Sequence, residues 1–505
     1  MPRYKPVNLQ QDAFVPICFD KQILPGTFEY ALHHLLEHQV DLSAFDAHYG
    51  NDALGARAYH PKVLLKLVLF AYARGLIGSR RIERACRENV QFMALSGEAK
   101  PDHATIAAFI SRSPEAIRAV FREVLLVCDA AGLIGREHFA IDGVKLPSNA
   151  SKELSGRIDE LQAKVRKLDR AIERMLKAHH LEDARDAQGD LQTHAARQIA
   201  KLDRQSAKIK AFLEQARPKH GPNGKERKSN VTDNDSAKIK TGKGTIQGYT
   251  AVAVTDDRHQ VIVEAQAHGV PQEQELLQPV LTELQTSFQD LGLSGNILAE
   301  AKLTADSGFH SGDNLDWLAE QQCDAYVADT LFRKREPRFA EADRYKPPKP
   351  KPQRFQVSDF AYDPQRLTCT CPAGQRLYRN GANVRIGGRV GIKFTAPKRA
   401  CDTCHLRADC LRDAKQQSPR QVVFFREPDT TNQTPLARMK ARIDSLLGRM
   451  IYAKRLGTVE PPFGNLRYHK GLDRFTLRGR EKVNGQWQLF ALVHNIEKLA
   501  HYGMA

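Results

Sequence analysis

With 505 residues and a formal net charge of +17, the chain is long enough for several hydrophobic cores, and it is basic throughout rather than in one tail. That charge points to a nucleic-acid partner. The longest apolar run, 63–73, is interrupted by Lys66 and is too short to span a bilayer, and no apolar leader opens the chain, so a cytoplasmic protein is expected.

Residues 1–135 read as a helical N-terminal DNA-binding domain. Helices are expected over 27–40, 61–74 (opening on Pro61), 79–89, 102–113 and 114–131. The stretch from Ser79 through the break at Ser96-Gly97 has helix-turn-helix proportions. Asp102 would cap a recognition helix presenting Thr105, Ser111 and Arg112 to DNA.

From residue 136 to 330 the pattern is α/β, and it is interrupted over 152–217. There Leu154, Ile158, Leu161, Val165, Leu168, Ile172 and Met175 recur in alternating four- and three-residue steps, the seam of a coiled coil. Gln188-Gly189-Asp190 breaks the seam, and a second helix to Leu213 suggests an inserted antiparallel hairpin. Residues 218–243 are polar, basic and Gly-containing, and read as a loop or a ligand-ordered segment. Strands are expected at 249–254 and 261–263, joined by Asp256-Asp257, then a helix from about 273 to 291. A strand ending at Asp306, a helix over 314–321 and a strand over 325–328 complete the series. Strand, hairpin, helix, strand, helix, strand is the order of a ribonuclease-H-like core.

Residues 331–430 form a basic, Cys-rich insertion that opens on a Lys/Arg/Pro linker over 333–354. Residues 431–505 return to helix and would be the second part of the core. The two prolines after Glu460 predict that a helix ends at that residue.

Chemistry concentrates on three acids. Phe139-Ala140-Ile141-Asp142-Gly143 and Leu303-Thr304-Ala305-Asp306-Ser307-Gly308 share one grammar: an apolar strand, an Asp at its tip, then small residues. Glu460 is the expected third acid, with Glu481 and Asp329 as rivals. Carboxylates this dispersed meet only through folding, as in two-metal phosphoryl-transfer sites. Hard oxygen donors suit Mg2+ or Mn2+, with Asp142 bridging two ions and Asp306 and Glu460 each holding one.

These pieces resemble a DDE transposase of a bacterial insertion sequence, from the branch with a helical N-terminal domain and a Cys-rich insertion between the second Asp and the Glu. The likeness is carried by Ile141-Asp142-Gly143, Thr232-Asp233 with Gly248-Tyr249, and Thr304-Ala305-Asp306-Ser307-Gly308. It continues in Cys371-Pro372-Ala373-Gly374, Val459-Glu460-Pro461-Pro462-Phe463-Gly464 and His494-Asn495. The family signature around its Glu is Y-x2-R-x3-E-x6-K. Tyr452 and Arg455 keep the first spacing, four residues rather than three precede Glu460, and Arg467 replaces the Lys.

By that resemblance, Asp142, Asp306 and Glu460 would drive metal-dependent cleavage and strand transfer. Tyr452, Arg455 and Arg467 would grip the transposon-end backbone. The partners would be double-stranded terminal inverted repeats and target DNA, the protein a homodimer in a synaptic complex near the nucleoid. The alternative is a catalytically inactive, transposase-derived DNA-binding regulator.

The nine cysteines do not form a secreted disulfide framework, because five of them crowd between 369 and 410. Cys401-Asp402-Thr403-Cys404 is a knuckle, and with Cys371 and Cys410 it suggests a structural zinc site. Cys369 and His405 are the remaining candidates.

Overall fold

The computed structural model describes residues 16–49, 57–183, 189–221, 224–339, 341, 354–386, 389–413, 416–426 and 434–503. It divides into two compact units, Met1–Thr330 with Met439–Ala505, and Leu331–Arg438. The heart of the expected proline linker and the tip between the two long helices lie outside the described residues.

The first unit opens with helices α1 (Phe28–His38), α2 (Pro61–Ala73), α3 (Ser79–Glu88), α4 (Val90–Ser96), α5 (His103–Arg112) and α6 (Pro114–Ala130). Their starts are local chemistry: Thr27 and Asp102 accept the amides of Tyr30 and Thr105, and Pro61 and Pro114 occupy first turns. The short α4 had no periodicity to announce it. Asn89 caps it and Gly97, at φ 59°, closes it in the left-handed region. Helix α2 is apolar nearly all round and buried, and its Lys66 is neutralised by Glu37.

A mixed sheet follows. Strand β1 (His138–Pro147) leads into two long helices, α7 (Ile158–Asp183) and α8 (Gly189–Gln215). These pack on one another through Leu161, Val165 and Ile209, with Asp169 accepting from Ser206 at 2.6 Å and pairing with Lys210 at 3.0 Å. Then come β2 (Ala237–Thr241), β3 (Gly244–Asp256), β4 (Ile262–His268), helix α9 (Leu277–Asp290), β5 (Lys302–Ala305), α10 (Gly312–Glu320) and β6 (Asp324–Val327). The strand order is β6-β5-β1-β3-β2, with β4 also on β3. β3 runs antiparallel to β1 and to β4, whereas β5 and β6 run parallel to β1 and to each other. This mixed α/β arrangement is consistent with a ribonuclease-H-like core. Strand β2 corrects the expected loop over 218–243: Ala237 and Ile239 face inward and the alternating lysines outward, a period of two hidden by the segment's polarity.

Helices α11 (Pro435–Asp444), α12 (Leu446–Gly464) and α13 (Arg480–Lys498) close the chain. Helix α13 is the central one, buried from Gly485 to Ile496. It also covers the outer edge of β4: Asn495 accepts the Ile262 amide at 2.9 Å and donates to the Ile262 carbonyl at 2.8 Å, while Asn484 accepts from Ala267. A side-chain amide thereby stands in for the missing neighbouring strand. Of the motif residues that carried the resemblance, several do such structural work. Asp233 accepts from the Tyr249 hydroxyl at 2.9 Å, and a methyl at Gly248 would overlap the Leu146 carbonyl.

Helix α12 does not stop at Glu460. It runs through Pro461 and Pro462 to Gly464 and into a wider turn, Asn465–His469. Pro461 has no amide to offer the carbonyl four residues back. That carbonyl, on Gly457, instead accepts from Gln260 Nε2 at 2.9 Å. An external donor thus replaces the lost bond.

The second unit is a five-stranded antiparallel sheet of β7 (Ala361–Asp363), β8 (Thr368–Thr370), β9 (Arg376–Ile386), β10 (Arg389–Thr395) and β11 (Gln421–Phe425) in that order. Its separate core holds Phe360, Cys369, Leu377, Ile392, Phe394 and Val422. Among the described residues, no helix is long and apolar enough to cross a membrane.

Candidate active site

Two parallel strands bring the first pair of acids together. In the β1–β5 register, Ile141 stands opposite Ala305, so Asp142 and Asp306 are each the next residue on adjoining strands. Neighbouring strands lie about 4.8 Å apart, which makes the two carboxylates neighbours at one edge of the sheet. Asp142 Oδ1 accepts from the Gly143 amide at 2.7 Å, and Asp306 Oδ1 from the Gly308 amide at 2.8 Å.

A third carboxylate stands there too, and it is Glu273. A methyl placed on Gly308 would overlap Glu273 Oε2 and come within 3.0 Å of Asp306 Oδ1; one on Gly143 would lie 3.4 Å from Glu273 Oε1. Glycine at 308 therefore leaves the space into which Glu273 and Asp306 point. Glu273 is delivered by the short turn Glu273–Glu275 between β4 and α9. In the sequence it read only as the first residue of a helix. Its usable signal was the placement of an acid just after a buried strand and the Val270-Pro271 turn.

Two cations balance the three acids. Arg455, on α12 and only 7% exposed, donates from Nη2 to Asp142 Oδ2 at 2.8 Å, while its Nε has no hydrogen-bond partner among the described residues. Lys145 pairs with Glu273 at 3.1 Å. Burial pushes the Asp142 carboxyl up to about 6; Arg455 pulls it down, and Asp306 and Glu273 push it further up. Burial also raises Glu273, against the pull of Lys145.

Glu460 lies late in α12. Its side chain is exposed and it is not among the principal charges acting on Asp142. The five-residue step from Arg455 turns it about 140° around the helix from the face that meets Asp142. Gly457, three residues earlier, is held by Gln260 in the β3–β4 turn, at the His138 end of β1. That end is about 13 Å along the strand from Asp142. The one extra residue between Arg455 and Glu460 gives the acid a different helical phase from the arginine that meets Asp142. The rival Glu481 is exposed in the first turn of α13.

The other expected site residues are dispersed. Tyr452 is half-buried on α12, and Arg467 is exposed beside the Tyr468 ring, 6.0 Å from its centroid. Thr105 and Arg112 line a groove with Tyr49, Arg57 and Phe109. In the second unit Cys371, Cys401, Cys404 and Cys410 line one pocket, and Cys369 is fully buried in the core. Burial raises the Cys410 thiol, Arg420 opposes it, and the three other thiols add to the rise. Cys401 Sγ faces Arg407 Nη1 at 3.6 Å, and among the described residues no three His, Cys, Asp or Glu side chains are arranged to hold a metal ion.

Three family models match the chain. One described as a transposase domain (DUF772) covers residues 17–112, and two described as transposase DDE domains cover 202–382 and 370–500. No curated protein matches.

Proposed function

Because the chain belongs to the DDE transposases of insertion sequences, we propose that it cuts DNA strands at the ends of such an element and joins them to a target. The observation that carries this reading is the juxtaposition of Asp142 and Asp306 at the tips of two parallel strands. The family generally uses divalent ions such as Mg2+. The donor chemistry here fits one: hard carboxylate oxygens, half-buried, pointing into a cradle that a Cβ at Gly308 would fill. Asp142 and Asp306 would hold the ion, which when bound activates the attacking oxygen and neutralises the departing one.

The chain's own residues supply the rest. Attack on a phosphodiester is in line, so no Ser or Tyr nucleophile is required. Arg455 neutralises Asp142 in the free protein, and its unpaired Nε offers a second donor to a phosphate oxygen. Tyr452 and Arg467 would hold the flanking backbone, and Thr105 and Arg112 would meet the duplex in the N-terminal domain. The net charge of +17 supports a polyanionic partner, and joining two ends calls for two copies of the chain. For the second unit the reading is a zinc site completed on uptake of the ion, supported by the four thiols on one pocket. One zinc per chain by elemental analysis is expected; none overturns it.

The function is tested with Mn2+ and duplexes carrying the sequences that flank the reading frame. Wild type is expected to nick them, whereas Asp142→Ala and Asp306→Ala bind but lose at least a hundredfold in cutting. Equal binding with no cleavage by wild type under any divalent ion would leave only a DNA-binding role.

A further inference from the structure

We propose that the outward face of α8 grips duplex DNA: Arg197, Lys201, Arg204 and Lys208 form one row of cations that takes the phosphate backbone. This rests on the transposase reading and goes further, because it names a surface of the inserted hairpin, away from the acids, as part of the hold on DNA.

Helical phase sets the row. Positions 197, 201, 204 and 208 advance by four, three and four residues, so they fall within about 60° of one another around the helix. Packing fixes the other side of α8. Ile209 is fully buried with Leu161 and Val165, and Ser206, 1% exposed, donates to Asp169 at 2.6 Å. The basic row points about 140° away from that seam, and all four side chains are exposed. The root of the hairpin is pinned as well: Ser155 and Gly156 pair with Asn230 and Ser229, and Glu226 accepts the Ile158 amide at 2.8 Å. From Arg197 to Lys208 the row spans about 16 Å, and a duplex of that length carries about ten phosphate charges.

The charge pattern sets this face apart from an ordinary solvated one. Solvated helix faces offset their bases with acids three or four residues away. No acid stands at that spacing from any of the four; each has another base there instead. Among the described residues none of the four makes an ion pair, and Lys210, which pairs with Asp169 at 3.0 Å, lies off the row. Like charges one turn apart repel, and a polyanion laid along them relieves that repulsion. Helix α7 shows the contrast. Its exposed Arg166 and Arg170 have Asp169 and Glu173 three residues on. Arg170 and Arg174 also fold back, donating from Nε to the Arg166 and Arg170 carbonyls at 3.1 and 3.2 Å. That face is balanced within itself, so it serves as the control.

The test uses the full chain and a labelled duplex carrying the sequences that flank the reading frame, with binding measured across a salt series. Lys201→Gln, Arg204→Gln and Lys208→Gln, combined in one variant, remove three charges and keep good helix formers. That variant is expected to bind at least tenfold more weakly, and the slope of log K against log salt should fall by about 2 to 3, at roughly 0.9 per phosphate contact. Arg166→Gln, Arg170→Gln and Arg174→Gln, combined, remove the same charge from α7 and are expected to leave affinity within about twofold and the slope unchanged. Equal losses in the two variants overturn the proposal, because bulk charge would then account for both. Wild-type binding by the α8 variant also overturns it, and leaves the row to an acidic protein or to solvent. A second measurement needs no variant: bound duplex is expected to slow acetylation of Lys201 and Lys208 in the wild type, but not of Lys177. Unprotected Lys201 and Lys208 overturn the proposal. Failure of the transposase reading is distinct: the duplex would still be held through α8, while wild type cut nothing under any divalent ion.

Discussion

Glu264 shows how a single buried side chain ties stability to pH. It lies on β4, 4% exposed, and burial pushes its carboxyl up to about 7, against hydrogen bonding from Gln266 and the charge of Arg118. The folded-state value is thus above the unfolded one near 4.5. Its ionisation cost is absent below the unfolded value, grows as pH rises between the two, and is complete above about 7. Glu264→Gln retains acceptors for Gln266 and for the Ala265 amide. It is expected to stabilise the protein by roughly 1–3 kcal/mol at pH 8 and by almost nothing at pH 4.5. Urea melts at the two pH values check this; an equal effect at both would refute the assignment. The residue scale is also where sequence reading was strongest. Asp142 and Asp306 were legible because an apolar strand ending in Asp and glycine is a local pattern. Glu273 was not, because nothing around it distinguishes a site acid from a helix-start acid until β4 and α9 are placed.

At the scale of elements, the contact that orients α13 on the sheet is specific rather than merely apolar. Asn495 makes two hydrogen bonds to the backbone of Ile262 and is fully buried. Asn495→Leu would leave an amide and a carbonyl of β4 unsatisfied away from water, at about 2–5 kcal/mol. Chemical denaturation should register that loss, and hydrogen exchange should find the Ile262 amide deprotected. Near-wild-type protection would mean that the edge is covered otherwise. The motif His494-Asn495 was legible as a signature, but its meaning was not. His494 is buried against the Gln260 carbonyl and its pKa is lowered to about 4 by that burial, so it serves as a neutral packing and hydrogen-bonding group. Likewise, prolines announced a helix end at Glu460, and only the donor reaching in from Gln260 explains why the helix continues.

For the whole molecule, the division into two compact units leads us to expect two melting events. Both tryptophans, Trp317 and Trp487, lie in the first unit, so their fluorescence reports that unit alone. Phe394 is 1% exposed in the core of the second. Phe394→Ala is expected to cost that unit about 3–5 kcal/mol, shifting a far-UV circular dichroism transition downward while the tryptophan transition stays in place. A tryptophan transition that moved in step would show that the two units unfold as one.

What the sequence determined by itself was whatever depends on neighbours in the chain. Helix caps at Thr27 and Asp102, the strands of the sheet's centre, the two aspartates at strand tips and the basic charge are all of this kind. What only the tertiary structure decided was which distant side chains gather around those aspartates. Helix α12 lays Arg455 against Asp142, more than three hundred residues earlier in the chain. Meanwhile strand register and a loop closure carry Glu273, an unremarked residue, over Gly143 and Gly308. Convergence of side chains distant in sequence is a property of packing, and no local pattern records it.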